Sequence, residues 1–281
     1  MVFIVESGST KSDWMLLENN TIREYSTMGY NPCFHNTQTI IDSINSHDSI
    51  MEVCKQVTKV FFYGAGCSSK KMNEVVHQAL SSIFSNASVV VDHDLKACAY
   101  ATYRGKPTVS CILGTGSNSC FFDGETLVDL IPALGYVLGD EGSGSYFGKK
   151  LLSSFLYKKL PKEIEQDFLE KFDLNSEKII ERVYQEENAN VYLASFMPFI
   201  ASHKENKFIK EMIKEGFQNF MKTHVLCYEN IEKAEVNFVG SISSVFENEL
   251  KEVAKELKIN VGQIIRKPAE SLVNYHKKYL L

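Results

Sequence analysis

No C-x-x-C pair occurs among the seven cysteines (Cys33, Cys54, Cys67, Cys98, Cys111, Cys120 and Cys227), which are odd in number and scattered. That argues against zinc ribbons and disulfide scaffolds and predicts reduced thiols. The seven histidines are equally dispersed, without metal-ligand spacing, and read as surface or packing residues. No long basic run is present and the formal net charge is −5, which speaks against a nucleic-acid partner. No stretch approaches membrane-spanning length, so no membrane partner is expected. The first apolar run is too short to resemble a signal peptide, and it runs into Glu6. Low-complexity segments and evident linkers are missing too. These absences predict a soluble cytoplasmic protein, and 281 residues suit one large or two medium domains.

What is present begins at residue 2. Val2-Phe3-Ile4-Val5 reads as a buried strand, Glu6 to Ser12 as a small, hydroxyl-rich turn, and Asp13 to Leu17 as a second strand. A hairpin tip of glycine and hydroxyls can turn backbone N–H groups and O–H donors onto a phosphate. Glu6 beside it is a hard oxygen ligand suited to a metal or its water shell. An ordinary polar hairpin is the plain alternative. A Walker-A loop is not, because the G-x-x-x-x-G-K-[ST] spacing is absent and a strand follows.

The element order then repeats. The first half continues with a turn at Asn19-Asn20, a strand over Thr21–Met28 and a helical stretch near Thr37–Val57. A strand at Val60–Tyr63 ends in Gly64-Ala65-Gly66, a helix covers Lys70–Phe84, and Ser88–Val91 leads to a helix over Leu95–Tyr103. After the break at Gly105-Lys106-Pro107 come strands at Val109–Leu113, Ser119–Phe122 and Thr126–Ile131. The first two of these are joined by the Gly114–Asn118 turn, the last two by Asp123-Gly124. Val236–Val239 ends in Gly240-Ser241, followed by a helix over Phe246–Leu257, a strand over Asn260–Arg266 and a closing helix over Ala269–Tyr279. The pattern predicts a duplicated α/β chain with domains at 1–105 and 106–281. A mostly helical insertion at about 142–228 lies in the second, and the closing segment 268–281 is free to pack back on the first. Two glycine-hydroxyl tips would face one another across a cleft, the usual setting of a small-molecule site.

Five stretches carry a resemblance. Glu6-Ser-Gly-Ser-Thr-Lys-Ser, Leu113-Gly-Thr-Gly-Ser-Asn and Phe238-Val-Gly-Ser-Ile resemble the two phosphate loops and the adenosine loop of the sugar kinase, Hsp70 and actin superfamily. Asp92-His-Asp-Leu-Lys-Ala-Cys-Ala is similar to its connecting segment. Leu138-Gly-Asp-Glu-Gly-Ser-Gly-Ser resembles the signature of N-acetylglucosamine kinases within the BadF/BadG ATPase family. The resemblance spans the chain and implies duplicated actin-like ATPase (ribonuclease H-like) domains with a cleft between them.

It further implies ATP and Mg2+, with Thr10 and Thr115 on the phosphates, Gly240 with Ser241 or Ser244 near the adenosine, and Glu6 helping to hold the metal. Asn31, Ser117, Asn118, Gly135 and Asp140 would line an amino-sugar site, and Asp94 would be the catalytic base. Asp92 competes for that last role; Asp94 is preferred because it directly precedes Leu95-Lys-Ala-Cys-Ala. Read without the resemblance, Asp94 is a helix N-cap, Asp140-Glu141 a helix start and Asn31 part of a turn. The implied activity is phosphorylation of N-acetylglucosamine on its 6-hydroxyl, and a homodimer is left open. An ATPase activator of a dehydratase or reductase, and a non-catalytic sugar sensor, are the alternatives.

Overall fold

Period-two alternation builds the first sheet. In β1 (Val2–Ser7), Phe3 and Val5 face one way and Ile4 the other; in β2 (Lys11–Glu18), Trp14 and Leu16 oppose Met15. With β3 (Thr21–Met28), β4 (Lys59–Gly64) and β5 (Ser88–His93), the strand order is β3-β2-β1-β4-β5. The β1–β2 and β2–β3 pairs are antiparallel, while β1–β4 and β4–β5 are parallel. In this computed structural model, which describes all residues except Asn20, Asn230, Glu232 and Lys233, the sheet belongs to a unit formed by Met1–Tyr103 and Pro268–Leu281. The turn expected at Asn19-Asn20 includes Asn20 and so lies partly outside the described residues.

Phe3, Val5, Trp14, Leu16, Val60 and Phe62 pack with Val76, Ala79 and Leu80 of helix Lys70–Ile83 and with Ile40 and Ile44 of helix Thr37–Asn45. Ile4, Met15 and Tyr63 on the opposite face are covered by Ala97 and Ala101 of helix Asp94–Thr102 and by Leu272 and Val273 of helix Ala269–Tyr279. Fully buried His276 on the latter meets the Tyr63 hydroxyl through Nε2 at 3.0 Å. The single helical stretch expected over Thr37–Val57 is instead Thr37–Asn45, Asp48–Met51 and a 3₁₀ turn at Cys54–Gln56. Ser46 breaks it, its hydroxyl donating to the Ser43 carbonyl at 2.7 Å in place of a continued helix.

Arg104–Lys267 forms the second unit. Its strands are β6 (Thr108–Leu113), β7 (Ser117–Phe122), β8 (Leu127–Val128), β9 (Glu235–Val239) and β10 (Val261–Ile265), in the order β10-β9-β6-β7-β8. Reversed, this is the order of the first sheet with the same pattern of parallel and antiparallel pairs, so the duplication holds at the level of topology. The third strand expected over Thr126–Ile131 shrinks to two residues. The chain leaves the sheet before Pro132, which has no N–H to give a ladder. Val109, Cys111 and Leu113 of β6 and Val236 and Phe238 of β9 pack with Phe147 and Leu151 of helix Gly144–Leu156 and Phe217 and Phe220 of helix Lys207–Phe220.

Candidate active site

The first hairpin tip is shorter than expected. Glu6 lies within β1, so only Gly8, Ser9 and Thr10 make the turn, and the Gly8 N–H donates to the Lys11 carbonyl at 2.9 Å. The two hydroxyls flanking it are structural. Ser7 Oγ meets Ser12 Oγ at 2.7 Å and accepts the Tyr30 N–H at 2.8 Å, and Ser12 Oγ donates to the Met28 carbonyl at 2.9 Å. Gly29 admits the tip against it: a Cβ there would collide with the backbone of Gly8, Ser9 and Lys11. Thr10 stands exposed at the apex.

Glu6 faces Asp13 across the hairpin. Burial, then the charges of Asp94 and Asp13, push its carboxyl up to about 8, with Lys11 opposing. Lys11 Nζ pairs with Asp13 at 2.5 Å. Two carboxyls placed opposite one another repel if both ionise, so this pair adds nothing to the hairpin's stability. Asp13 was missed in the sequence, although a tip of this length puts it opposite Glu6.

β5 delivers the two competing carboxylates, and their partners separate them. Asp92 holds Lys96 Nζ at 2.6 Å. Asp94 starts helix Asp94–Thr102 and accepts the Leu95 N–H at 2.9 Å, while His93 is the N-cap, without a side-chain capping bond. Burial raises the Asp94 pKa, with His93 and nearby backbone N–H groups opposing. Asn31 is buried, and its Oδ1 accepts the Cys33 N–H at 2.9 Å, forming the turn that the plain reading expected. A Cβ on Gly66 would strike that same amide.

In the second unit the tip is Gly114–Gly116, so Ser117 and Asn118 belong to β7 and not to the turn. The start of helix Gly144–Leu156 holds it: the Gly144 N–H donates to the Gly114 carbonyl at 2.8 Å and the Ser145 N–H to that of Thr115 at 3.0 Å. Gly240, at φ 130°, lies where a Cβ would run into the Leu113 carbonyl, so the end of β9 can approach the end of β6 only as glycine. Ser241 and Ser244 follow on the short helix Ser241–Val245, the former exposed and the latter half-buried.

Asp140 adopts a left-handed backbone at φ 57° and is buried. Its Oδ1 accepts the Ser117 N–H at 3.3 Å, and a Cβ on Gly116 would lie 3.1 Å from its Oδ2. Burial raises its pKa, the Ser117 N–H opposes, Glu141 adds to the rise and Lys149 counters it. Ser117 is 5% exposed, and its buried hydroxyl has no hydrogen-bond partner among the described residues. Asn118 is half-buried, and its Oδ1 accepts the Ser119 N–H at 2.8 Å. Gly135, at φ 69°, opens the short helix Gly135–Leu138. Lys149 Nζ donates to the Tyr136 carbonyl of that helix at 2.7 Å. Lys149 was missed because nothing in the helical pattern distinguishes it from Lys150.

Glycine-hydroxyl tips on two copies of one five-stranded sheet, with acidic residues around one and a buried carboxylate on the other, define an actin-like ATPase fold. Over the full length of both chains it is 33% identical, at a TM-score of 0.94, to a protein from Porphyromonas gingivalis described as a candidate N-acetylglucosamine kinase. The chain belongs to the N-acetylglucosamine kinase-like family of the sugar kinase, Hsp70 and actin superfamily. A Chromobacterium violaceum protein with the same description matches 98% of each chain at 13% identity and a TM-score of 0.72. The fold extends to a ROK-family glucokinase from Streptomyces griseus, solved with glucose and AMPPNP, at 14% identity, 98% of each chain and a TM-score of 0.55. No family model and no curated protein matches the chain.

Magnesium, implied by this family, fits the acidic cluster of the first unit, where burial and then the charges of Asp94 and Asp13 raise Glu6 and a hard divalent cation would offset those charges. Among the described residues no set of three or more His, Cys, Asp or Glu side chains is arranged to hold a metal alone. Mg2+ usually binds through one or two carboxylates together with phosphates and water, so one such residue suffices. No helix among the described residues is long and apolar enough to cross a membrane.

Proposed function

We propose that this protein transfers the γ-phosphoryl group of ATP to the 6-hydroxyl of an amino sugar, with N-acetylglucosamine the preferred acceptor. The observation that carries the sugar reading is Ser117. Its buried hydroxyl lacks a partner among the described residues and its N–H is on the Asp140 carboxylate, so together they offer a donor and an acceptor to sugar hydroxyls. An unmet buried hydroxyl costs about 1–3 kcal/mol, a cost that a bound ligand removes. Asn31, Asn118 and Gly135 complete the proposed sugar contacts, while the full-length likeness supports the amino-sugar class.

Phosphoryl transfer depends on positioning and charge stabilisation, with one carboxylate taking the hydroxyl proton. Asp94 would be that base. Burial raises its proton affinity towards the range where a general base works well, whereas Asp92 is engaged by Lys96. Thr10 and Thr115 would meet the phosphates, and Gly240 with Ser241 or Ser244 the adenosine. Glu6 would hold the magnesium or its water shell, which supplies positive charge to the phosphate oxygens.

An ADP-release assay with ATP and magnesium over a panel of hexoses, hexosamines and N-acetylhexosamines tests the reading. N-acetylglucosamine should stimulate ADP release most strongly. Sugar binding without ADP release would indicate a sensor, and no response to any sugar would remove the kinase reading.

A further inference from the structure

Helix Lys207–Phe220 runs into a π-helical turn at Met221–Val225, a rare geometry often found at functional sites. The turn is fixed to β7: Ser119 Oγ donates to the His224 carbonyl at 2.5 Å and meets the Tyr228 hydroxyl at 3.1 Å. Ser119 follows Ser117 by two residues, so both hydroxyls lie on one face of the strand. The His224 ring is 4% exposed and stacks on Phe220 with centroids 5.2 Å apart. Its Nε2 lies 3.6 Å from Glu141 Oε2, a polar contact slightly longer than a hydrogen bond. Its Nδ1 has no partner among the described residues. Burial lowers the His224 pKa while Glu141 opposes, so burial favours the neutral ring.

Ser117, Asp140, Glu141, His224 and Ser119 therefore follow one another around a polar circuit that begins and ends on β7. A phenyl ring could stack on Phe220 without stranding a buried nitrogen, so packing alone does not account for the imidazole.

We propose that His224 is a positioning residue for the sugar-holding loop: its contact with Glu141 keeps Asp140 in the left-handed backbone that sets its carboxylate on Ser117. This inference rests on the sugar site proposed above and adds a residue that does not touch the sugar.

The test measures calorimetric sugar affinity, KM for ATP, kcat and Tm for the intact protein and for His224→Phe, His224→Gln, Glu141→Gln and His224→Gln/Glu141→Gln. His224→Phe should weaken N-acetylglucosamine binding about tenfold with KM for ATP unchanged. His224→Gln, which keeps an N–H able to reach Glu141, should recover most of that loss. Glu141→Gln should show the same selective loss, and the double variant should be no worse than Glu141→Gln, since coupled residues are not additive. Unchanged sugar affinity in His224→Phe, or equal losses for sugar and ATP, would overturn the proposal. If His224→Phe does not fold, Glu141→Gln decides, and unchanged affinity there overturns it. If the unmodified protein binds no amino sugar, the parent reading fails and this inference goes with it.

Discussion

The two hairpins close differently, with four residues between the last paired positions in the first and three in the second. In the first unit the last pair is Ser7 with Ser12, and the two hydroxyls satisfy each other. In the second the last pair is Leu113 with Ser117, and leucine has no polar atom to return. One pair earlier, Glu6 faces Asp13 where Ile112 faces Asn118. The fifth strands also differ: β5 runs into Asp92-His93-Asp94, whereas Arg266-Lys267-Pro268 follows β10. One copy of the fold thus gathers carboxyl groups at its tip, while the other places a buried hydroxyl beside a carboxylate. Duplication supplied the same frame twice, and under the proposed function substitutions at a few paired positions divide the chemistry.

The largest test of that division is Asp94→Asn. If the acidic unit holds the base, turnover should drop about 10²–10⁴-fold with sugar and nucleotide still bound. Asp92→Asn should lose far less, because it breaks only the Lys96 pair. Comparable kcat losses in the two would mean that the site feels local charge and no particular carboxylate. Asp140→Asn in the second unit comes next. Asparagine tolerates the left-handed backbone but lacks the charge, so sugar affinity should weaken about ten- to hundredfold by titration calorimetry, with ATP affinity intact.

Ser12→Ala and Ser117→Ala compare the tips directly. Removing Ser12 takes away its bonds to the Ser7 hydroxyl and the Met28 carbonyl and should cost about 1–3 kcal/mol in denaturant melts. Removing Ser117 breaks no side-chain hydrogen bond, so stability should hold while sugar affinity falls about two- to tenfold. A stability loss in Ser117→Ala equal to that in Ser12→Ala would erase the distinction between the tips.

The smallest effect is a pH slope. Glu6, raised to about 8, keeps its proton in the folded chain where the unfolded chain releases it near 4.5. The folded state binds more protons across that window, so this group's contribution to stability falls as pH rises from about 4.5 to about 8 and is level above. Glu6→Gln should flatten the difference in Tm between pH 5 and pH 8 (about the ends of that window) relative to the unmodified protein. An identical pH profile would show that Glu6 titrates normally.

Much of this architecture was legible from residue order. Alternating apolar residues marked β1, β2 and β4, and glycine with small hydroxyls marked both tips, because those signals are local. Asp94, Asp140 and Gly240 came through the resemblance, and their roles are proposals. Their surroundings, a raised proton affinity, a contact to Ser117 and a carbonyl that excludes any Cβ, are tertiary features with no local signal. His224 could not be found this way. Its position depends on a π-helical turn and on a strand 105 residues away, and neither leaves a periodic trace. The third strand of the second half was overread because Leu127–Ile131 is apolar enough to pair, yet Leu130 is half exposed, at 51%. The N-cap reading of Asp94 missed by one residue, a typical error at a helix boundary.

The helix Ala269–Tyr279 has a consequence for biosynthesis. It follows β10 of the second unit in sequence but covers Ile4, Met15 and Tyr63 in the first. As the polypeptide leaves the ribosome, the first sheet can form its hairpins and bury one face, and helix Asp94–Thr102 can cover part of the other, but the rest of that face waits until residue 279 has been added. Nascent chains would thus carry a partly uncovered apolar surface through the synthesis of the whole second unit. That is the interval in which a holding chaperone would matter most.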